Sequence, residues 1–287
     1  MIEKKPIIAI ILYKPDHSTY QRIKTAITEG CKVYIFDNSP DDKSKLLIEE
    51  HKNNIRYFTF DKNVGIGLAL RIMCATAYYE GNSELLYFDQ DTIYNKETLE
   101  YIFDYINESS DIKYFNRREK ILSVTFRDKQ INRKEKQIQK KISIGTYVLS
   151  IVDLTISSGT LFYLGNLEKV GWHDESYYID GVYYYICLSA EVAGLKVAEI
   201  FNTPGLDHVA EQGNKSYKFL FKAYSGQKYP IYRIKDYVIS YLKLTVRSAL
   251  LGSKKTPRIL KLLIIYILVQ MFFYISKEDC NERLDKK

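Results

Sequence analysis

The chain has 287 residues, 46% of them apolar and 27% charged, which marks a globular protein of one large domain, alone or with an appendage. Its four cysteines, Cys31, Cys74, Cys187 and Cys280, form no CxxC or metal-type pair, which speaks against a disulfide scaffold or zinc site and for a reducing compartment. A net charge of +7 and a pI near 8.9 favour an acidic partner: phosphates, an anionic membrane surface or nucleic acid. No recognisable nucleic-acid module supports the last, so nucleic acid is not expected.

The chain opens on MIEKKP and the apolar run IIAIIL, too short for a signal sequence and without a small-residue cleavage site, so Pro6–Leu12 reads as a buried first strand. Strand and helix then alternate. Ser18–Glu29 is a helix ending at Gly30, Lys32–Phe36 a second strand, Lys43–His51 a second helix and Ile55–Phe60 a third strand. Asn63 is placed to cap a helix running through Tyr79, with Leu68, Ile72, Ala75 and Tyr79 at helical spacing and Gly81 just past its end. Glu84–Phe88 is a fourth strand and Lys96–Asn107 a further helix. This alternation predicts parallel strands with crossover helices, and a ligand edge at the strands' carboxyl ends.

The stretch LLYFDQDT, residues 85–92, delivers Asp89 and Asp91 to such an end. Two hard oxygen donors there suit Mg2+ or Mn2+, which can in turn hold a diphosphate. A strand merely turning into solvent gives the same pattern. Asp37 and Asn63 fall at the same predicted edge, and three polar groups on one edge say more than any one alone.

Residues 127–142 are a basic polar run that reads as a solvated loop or flap, or as a surface facing phosphate or acceptor. Strand-like segments resume at Ser143–Val152 and Leu161–Leu164, with helix-like pieces near Leu167 and over Val182–Ala193. Ile231–Leu251 forms a basic amphipathic helix, with Ile234, Tyr237, Val238, Tyr241 and Leu242 opposite Arg233, Lys235, Lys243 and Arg247. Leu262–Ile275 is almost wholly apolar but, at 14 residues, short of the roughly 20 that span a bilayer. Core packing or oligomer contact is one reading of it. Adsorption to an anionic membrane face is the other, favoured by Lys254, Lys255, Arg258 and Lys261 just ahead of it.

From about residue 6 to about residue 215 these motifs resemble the family-2 inverting glycosyltransferases of the GT-A fold, in their bacterial rhamnosyltransferase-like branch. IIAIILYKP resembles the opening strand and its Tyr-x-Pro turn at Tyr13. IFDNSPDD resembles the second strand end, where Asp37 would contact the nucleobase. DKNVGIGLAL is similar to an Asn-x-Gly-Ile-Ala-x-Ala-Leu-Asn signature: it keeps Asn63, Gly65 and Ile66, with Gly67 for Ala and Arg71 for the final Asn. FDQDT resembles the Asp-x-Asp motif, in which Asp89 would contact ribose and metal and Asp91 would ligate the metal. Ser158 and Gly159, in ISSGT, would line the sugar-phosphate pocket. Asp207-His208 resembles a late loop near the diphosphate, placing His208 beside the leaving group and the metal.

The resemblance implies an α/β, Rossmann-like GT-A domain over residues 1–215, with a mostly parallel central sheet flanked by helices. Its nucleotide-sugar half would be about 1–110 and its acceptor half about 111–215. Residues 216–287 would form a helical membrane-associating region. It further implies transfer of L-rhamnose or a related hexose from a dTDP- or UDP-linked donor to a lipid-linked or oligosaccharide acceptor, in O-antigen or capsule synthesis. The enzyme would work on the cytoplasmic face of the membrane, with a homodimer through the C-terminal helices as a further expectation. One departure stands out. Tyr183 occupies the family's general-base Asp position and Tyr185 that of the following Glu. Asp180, one helical turn earlier, is the expected base. A nucleotide-sugar-binding partner subunit without transferase activity is the alternative.

Overall fold

The computed structural model describes residues 5–40, 42–60, 62–108, 120–128, 138–208, 215–219, 222–226 and 228–281. The chain forms two compact units: Met1–Tyr178 with Val182–His208, and Ile179–Gly181 with Val209–Lys287.

In the first unit the alternating half folds as the apolar runs dictate. Strands β1 (Ile7–Leu12), β2 (Val33–Asp37), β3 (Ile55–Thr59) and β4 (Glu84–Asp89) lie parallel in the order β3-β2-β1-β4. All six residues of β1 are buried, as expected for a strand covered on both faces by crossover helices. Those helices are α1 (His17–Thr28), α2 (Asp42–Glu50) and α3 (Gly65–Tyr79), followed by α4 (Lys96–Asn107). Asn95 caps α4 through a reciprocal pair of bonds with Thr98.

Beyond β4 the sheet continues as β9 (Thr160–Tyr163), β6 (Ile121–Phe126), β10 (Lys196–Ile200), β8 (Tyr147–Val152) and β7 (Ile138–Ile144). Among the described residues the sheet has nine strands, and only β8 and β9 run against the other seven. The predicted strand over Ser143–Val152 is instead a hairpin, β7 and β8 turning at residues 145–146. The basic run read as a loop or flap ends inside β7, and its residues 129–137 lie outside the described residues. Strands β6 and β10, both in the interior of the sheet, go unmarked in the sequence reading. Helices α5 (Leu164–Lys169) and α6 (Val182–Val192) fall where helix was expected. A short ladder joins β5 (Thr92–Ile93) to β11 (Asp207–His208).

The tip of α3 departs from the reading of Asn63 as its cap. The cap residue is Val64, and the helix starts at Gly65 with φ +80°. The backbone of 174–178 lies so close that a Cβ on Gly65 would sit 2.4 Å from the Tyr178 carbonyl oxygen. One on Gly67 would sit 2.4 Å from that of Tyr177, which accounts for Gly at a position where the family signature has Ala. The Tyr178 carbonyl takes the Ile66 N–H at 2.6 Å and so does the work of a capping side chain.

The second unit contains the hairpin β12 (Lys215–Phe219) and β13 (Lys222–Gly226) and the helices α7 (Ile231–Leu250) and α8 (Thr256–Asn281). Tyr237 on α7 stacks on Tyr266 of α8, with centroids 3.6 Å apart, and on Tyr241 at 4.0 Å. Gln270 accepts the Tyr229 N–H, and the Tyr274 hydroxyl donates to the Tyr229 carbonyl. α8 is longer than the 14-residue apolar run suggested. It begins at Thr256 and takes in Arg258 and Lys261, and its segment Thr256–Tyr274 of 19 residues is long and apolar enough to cross a membrane.

Replacing Gly65 tests the α3 junction. Gly65→Ala should lower unfolding free energy by about 1–3 kcal/mol from backbone strain alone, before the clash is added. Gly81→Ala, also at positive φ but with no atom near the added Cβ, should cost less. Urea denaturation of the two variants checks the order; equal losses would contradict it.

Candidate functional site

The carboxyl ends of β1, β2 and β4 build the edge at which polar residues gather. Ile11 and Leu12 of β1 stand opposite Asp89 and Asp37 respectively, so these two acids flank β1, about 10 Å apart by strand spacing.

Asp89 is held from several sides. The Tyr87 hydroxyl donates to Oδ1 at 2.6 Å, and the Ser157 hydroxyl donates to Oδ2 at 3.1 Å. The Asp89 N–H donates to Ser158 Oγ at 3.0 Å, and that hydroxyl is also hydrogen-bonded to Thr92. Gly159 donates its N–H to the Tyr87 carbonyl at φ +74°, and a Cβ there would lie 2.8 Å from the Phe126 carbonyl oxygen. Burial, then the Asp89 charge, pushes the Tyr87 phenol well above its ordinary pKa, so it stays a donor.

Asp91 sits in the turn after β4, half-buried, with no hydrogen bond to its carboxylate among the described residues. Gln90 between the two acids does a different job. Its Oε1 accepts the Tyr13 N–H at 2.7 Å and its Nε2 donates to the Tyr13 carbonyl at 3.0 Å. The amide thereby ties the Asp-bearing turn to the end of β1. Tyr13 enters the edge through its backbone, and the residue is 44% exposed.

On the other side of β1, a cleft of about 600 Å³ is lined by Lys14, Pro15, Asn38, Ser39, Pro40, Lys62 and Asn63. Asp37 lies fully buried, accepting from the Ser39 N–H at 2.8 Å and the Tyr57 hydroxyl at 3.2 Å, and so shapes the turn that forms part of the cleft. Asn38 accepts the Val64 N–H at 3.0 Å, and Asn63 accepts that of Gly65 at 2.9 Å. Lys14 takes a left-handed φ of +48°, its N–H given to Ser39 Oγ. Two lysines on one cleft make it attractive to an anion.

The remaining expected residues are distributed. His208 pairs by its backbone with Thr92, next to Asp91 in the chain. Arg71 lies six residues down α3, about 9 Å from the helix start, and donates to the His173 carbonyl at 3.4 Å. Asp180 belongs to the second unit, where Arg233 Nε and Nη2 donate to its oxygens at 3.1 and 3.4 Å. Burial raises its pKa, Arg233 opposes that, and Asp236 adds to it.

Tyr183 is no exposed base. Its ring stacks between Tyr87 and Phe162, with centroids 6.2 Å from each, and its buried hydroxyl has no hydrogen-bond partner among the described residues. Burial first, then the Asp89 charge, lifts its pKa well above the ordinary phenol value, so it is neutral. His173, 6.1 Å away, is also fully buried, its pKa lowered to about 3 by burial and then by Arg71.

The described residues contain no cluster of three or more His, Cys, Asp or Glu side chains able to hold a metal. They do supply the donor set of a cation shared with a ligand: the Asp91 carboxylate unengaged and Asp89 fixed beside it, which fits Mg2+ or Mn2+ completed by phosphate oxygens and water. The sequence reading missed Tyr87, Ser157, Gln90, Lys14, Asn38 and Lys62. Gln90 and Asn38 each adjoin a flagged acid, and that adjacency was the available signal.

Comparison with known proteins places this geometry. No curated protein sequence matches the chain. Among solved structures, S. aureus TarS superposes with a TM-score of 0.56 at 13% identity, over 91% of this chain and 43% of TarS. A structure of TarS 1-349 in complex with UDP-GlcNAc gives 0.51 at 13% identity, over 91% and 70% of the two chains. GalNAc-T7 with UDP, GalNAc and Mn2+ gives 0.50 at 12%, over 79% and 45%. The chain thus spans less than half of these TarS and GalNAc-T7 chains. The likeness shows a GT-A-like fold. The model of glycosyl transferase family 2 matches residues 9–160, more than half of the 287. With its Asp-bearing turn and lysine-lined cleft on one sheet edge, this chain belongs to glycosyl transferase family 2.

Proposed function

We propose that the protein is a metal-dependent inverting glycosyltransferase that takes L-rhamnose or a related hexose from a dTDP- or UDP-linked donor. The observation that carries this reading is the placement of the Asp89/Asp91 turn and the Lys14–Lys62 cleft on either side of β1. Fold relatives solved with UDP, UDP-GlcNAc and Mn2+ support it. The acceptor is a lipid-linked or oligosaccharide chain destined for surface polysaccharide.

The cleft binds the nucleotide, with Asn38, Asn63 and the turn set by Asp37 shaping it. Lys14 and Lys62 draw in the phosphates. Asp89 and Asp91 would hold Mg2+ or Mn2+, which when bound offsets charge on the diphosphate. Tyr87 and Ser157 keep Asp89 oriented, and His208 assists at the diphosphate. The acceptor hydroxyl displaces the nucleoside diphosphate in one in-line step: the new anomeric C–O bond forms as the C–O bond to phosphate breaks. The acceptor proton passes to a carboxylate, Asp180. Arg71, Ser158 and Gly159 complete the donor side.

The second unit is read as the membrane contact, on the cytoplasmic face. Ile239, Leu242, Val246 and Leu250 form an exposed stripe on α7, and Leu260, Ile264 and Leu268 another on α8. Basic residues Lys243, Lys254, Arg258 and Lys261 accompany them. A homodimer through these helices is part of the same reading. A second reading, a nucleotide-sugar-binding partner subunit without transfer, rests on Tyr183, whose buried neutral phenol is no base.

Calorimetric titration with UDP, dTDP and UDP-GlcNAc, with and without Mn2+, tests the donor side. Binding should require Mn2+, and Asp91→Ala should weaken it by about tenfold or more. Nucleotide binding indifferent to both would defeat the metal reading. For the acceptor side, Asp180→Asn should abolish nucleotide release from a donor that wild type turns over. Wild type that binds with Mn2+ yet releases nothing from any donor supports the partner subunit instead. For the membrane, sedimentation should show binding to vesicles rich in anionic lipid and little to neutral ones, and carbonate should strip the protein from cell membranes. Retention after carbonate would mean that α8 spans the bilayer.

A further inference from the structure

The segment Ile179–Gly181 belongs to the second unit although the chain on either side of it belongs to the first. Its attachment is specific. The Ile179 and Asp180 N–H groups both donate to Asp236 Oδ2, at 3.2 and 3.1 Å. The Asp180 side chain meets the Arg233 fork, Nε on Oδ2 at 3.1 Å and Nη2 on Oδ1 at 3.4 Å. Arg233 and Asp236 stand three residues apart on α7, so one face of one helix supplies both grips.

The Arg233 side chain is itself confined. Its guanidinium lies over the Tyr229 ring, 5.3 Å from the centroid, and Tyr229 stacks on Tyr266 at 6.1 Å. Among the described residues, the groups facing Asp180 in this unit are one cation, Arg233, one anion, Asp236, and the Tyr266 phenol, which burial and then the Asp180 charge hold neutral. A half-buried carboxylate beside another carboxylate needs the guanidinium to stay ionised. A bidentate fork also fixes its orientation, which a point charge does not.

We propose that Arg233 and Asp236 on α7 are positioning residues that hold 179–181 and set the Asp180 carboxylate. This rests on the reading of Asp180 as the acceptor-side base. It gives the C-terminal unit a part in the reaction beyond membrane contact. Asp236 fixes the backbone of the segment, and Arg233 fixes the rotamer and charge of its carboxylate.

Hydrogen–deuterium exchange of the full-length protein tests the grip without needing a known acceptor. Asp236→Ala and Arg233→Ala should speed exchange at 179–181 by about tenfold or more, while α3 and β4 keep their wild-type protection. Arg233→Lys should restore part of that protection, since it returns the charge but not the fork. UDP affinity in Mn2+ should stay at the wild-type value in all three, which separates this proposal from the donor reading. In nucleotide release from UDP-GlcNAc or whichever donor is turned over, Arg233→Ala should move the acid limb of the pH profile upward, because only burial and Asp236 then act on Asp180. Unchanged exchange at 179–181 in Asp236→Ala and Arg233→Ala would overturn the proposal. So would activity falling equally at all pH values with no rescue by Lys.

Discussion

Holding a carboxylate still at the end of a strand whose inner residues are all buried is the constraint on which the polar sheet edge depends. Asp89 leaves the core of the sheet, where an unpaired charge would be prohibitive, and meets hydroxyl donors at once: Tyr87 from its own strand and Ser157 from the loop before β9. Those donors need the 157–159 loop to pass close over β4. Gly159 allows that, at positive φ and with no room for a side chain against Phe126. From the fixed Asp89 the chain can turn, free Asp91 from internal bonds, and use Gln90 to lock the end of β1. An apolar stretch, a glycine and an amide thus combine to leave one carboxylate committed and its neighbour available.

The same economy shapes the tip of α3. Its first N–H groups need acceptors, and the backbone of 174–178 provides one at the cost of excluding side chains from residues 65 and 67. That backbone leads in the chain to 179–181. Helix α3 and the segment that precedes residue 179 are therefore linked through the Gly-Ile-Gly sequence.

What was legible in the sequence was what local chemistry encodes. The runs IIAIIL and LLYF are apolar on both faces and bounded by turn residues, and they became β1 and β4 with little change of boundary. Asp37 and Asp89 were placed at strand ends because apolar runs stop there. By contrast, β6 and β10 pair across some seventy residues, and nothing local in ILSVTF or KVAEI marks them as neighbours. Asn63 resembled a cap because side-chain chemistry is visible in a sequence, whereas a backbone carbonyl arriving from residue 178 is not. The extent of α8 was hidden by Arg258 and Lys261, whose long stems allow an apolar helix to continue through a charged residue. Tyr87 reads as one more apolar strand residue, and only its hydroxyl, directed at Asp89, distinguishes it.

The rotational phase of α7 ties two surfaces together. Its grip on 179–181 comes from Arg233 and Asp236, and its exposed stripe from Ile239, Leu242, Val246 and Leu250, all on one rigid rod. With 3.6 residues per turn, one residue inserted between Asp236 and Ile239 would swing that stripe by about 100° relative to the grip. Within this helix the spacing between the two sets is therefore a reading frame. Individual stripe residues can be exchanged for others of similar polarity, but their count from Asp236 cannot change without turning the outer face away from its direction.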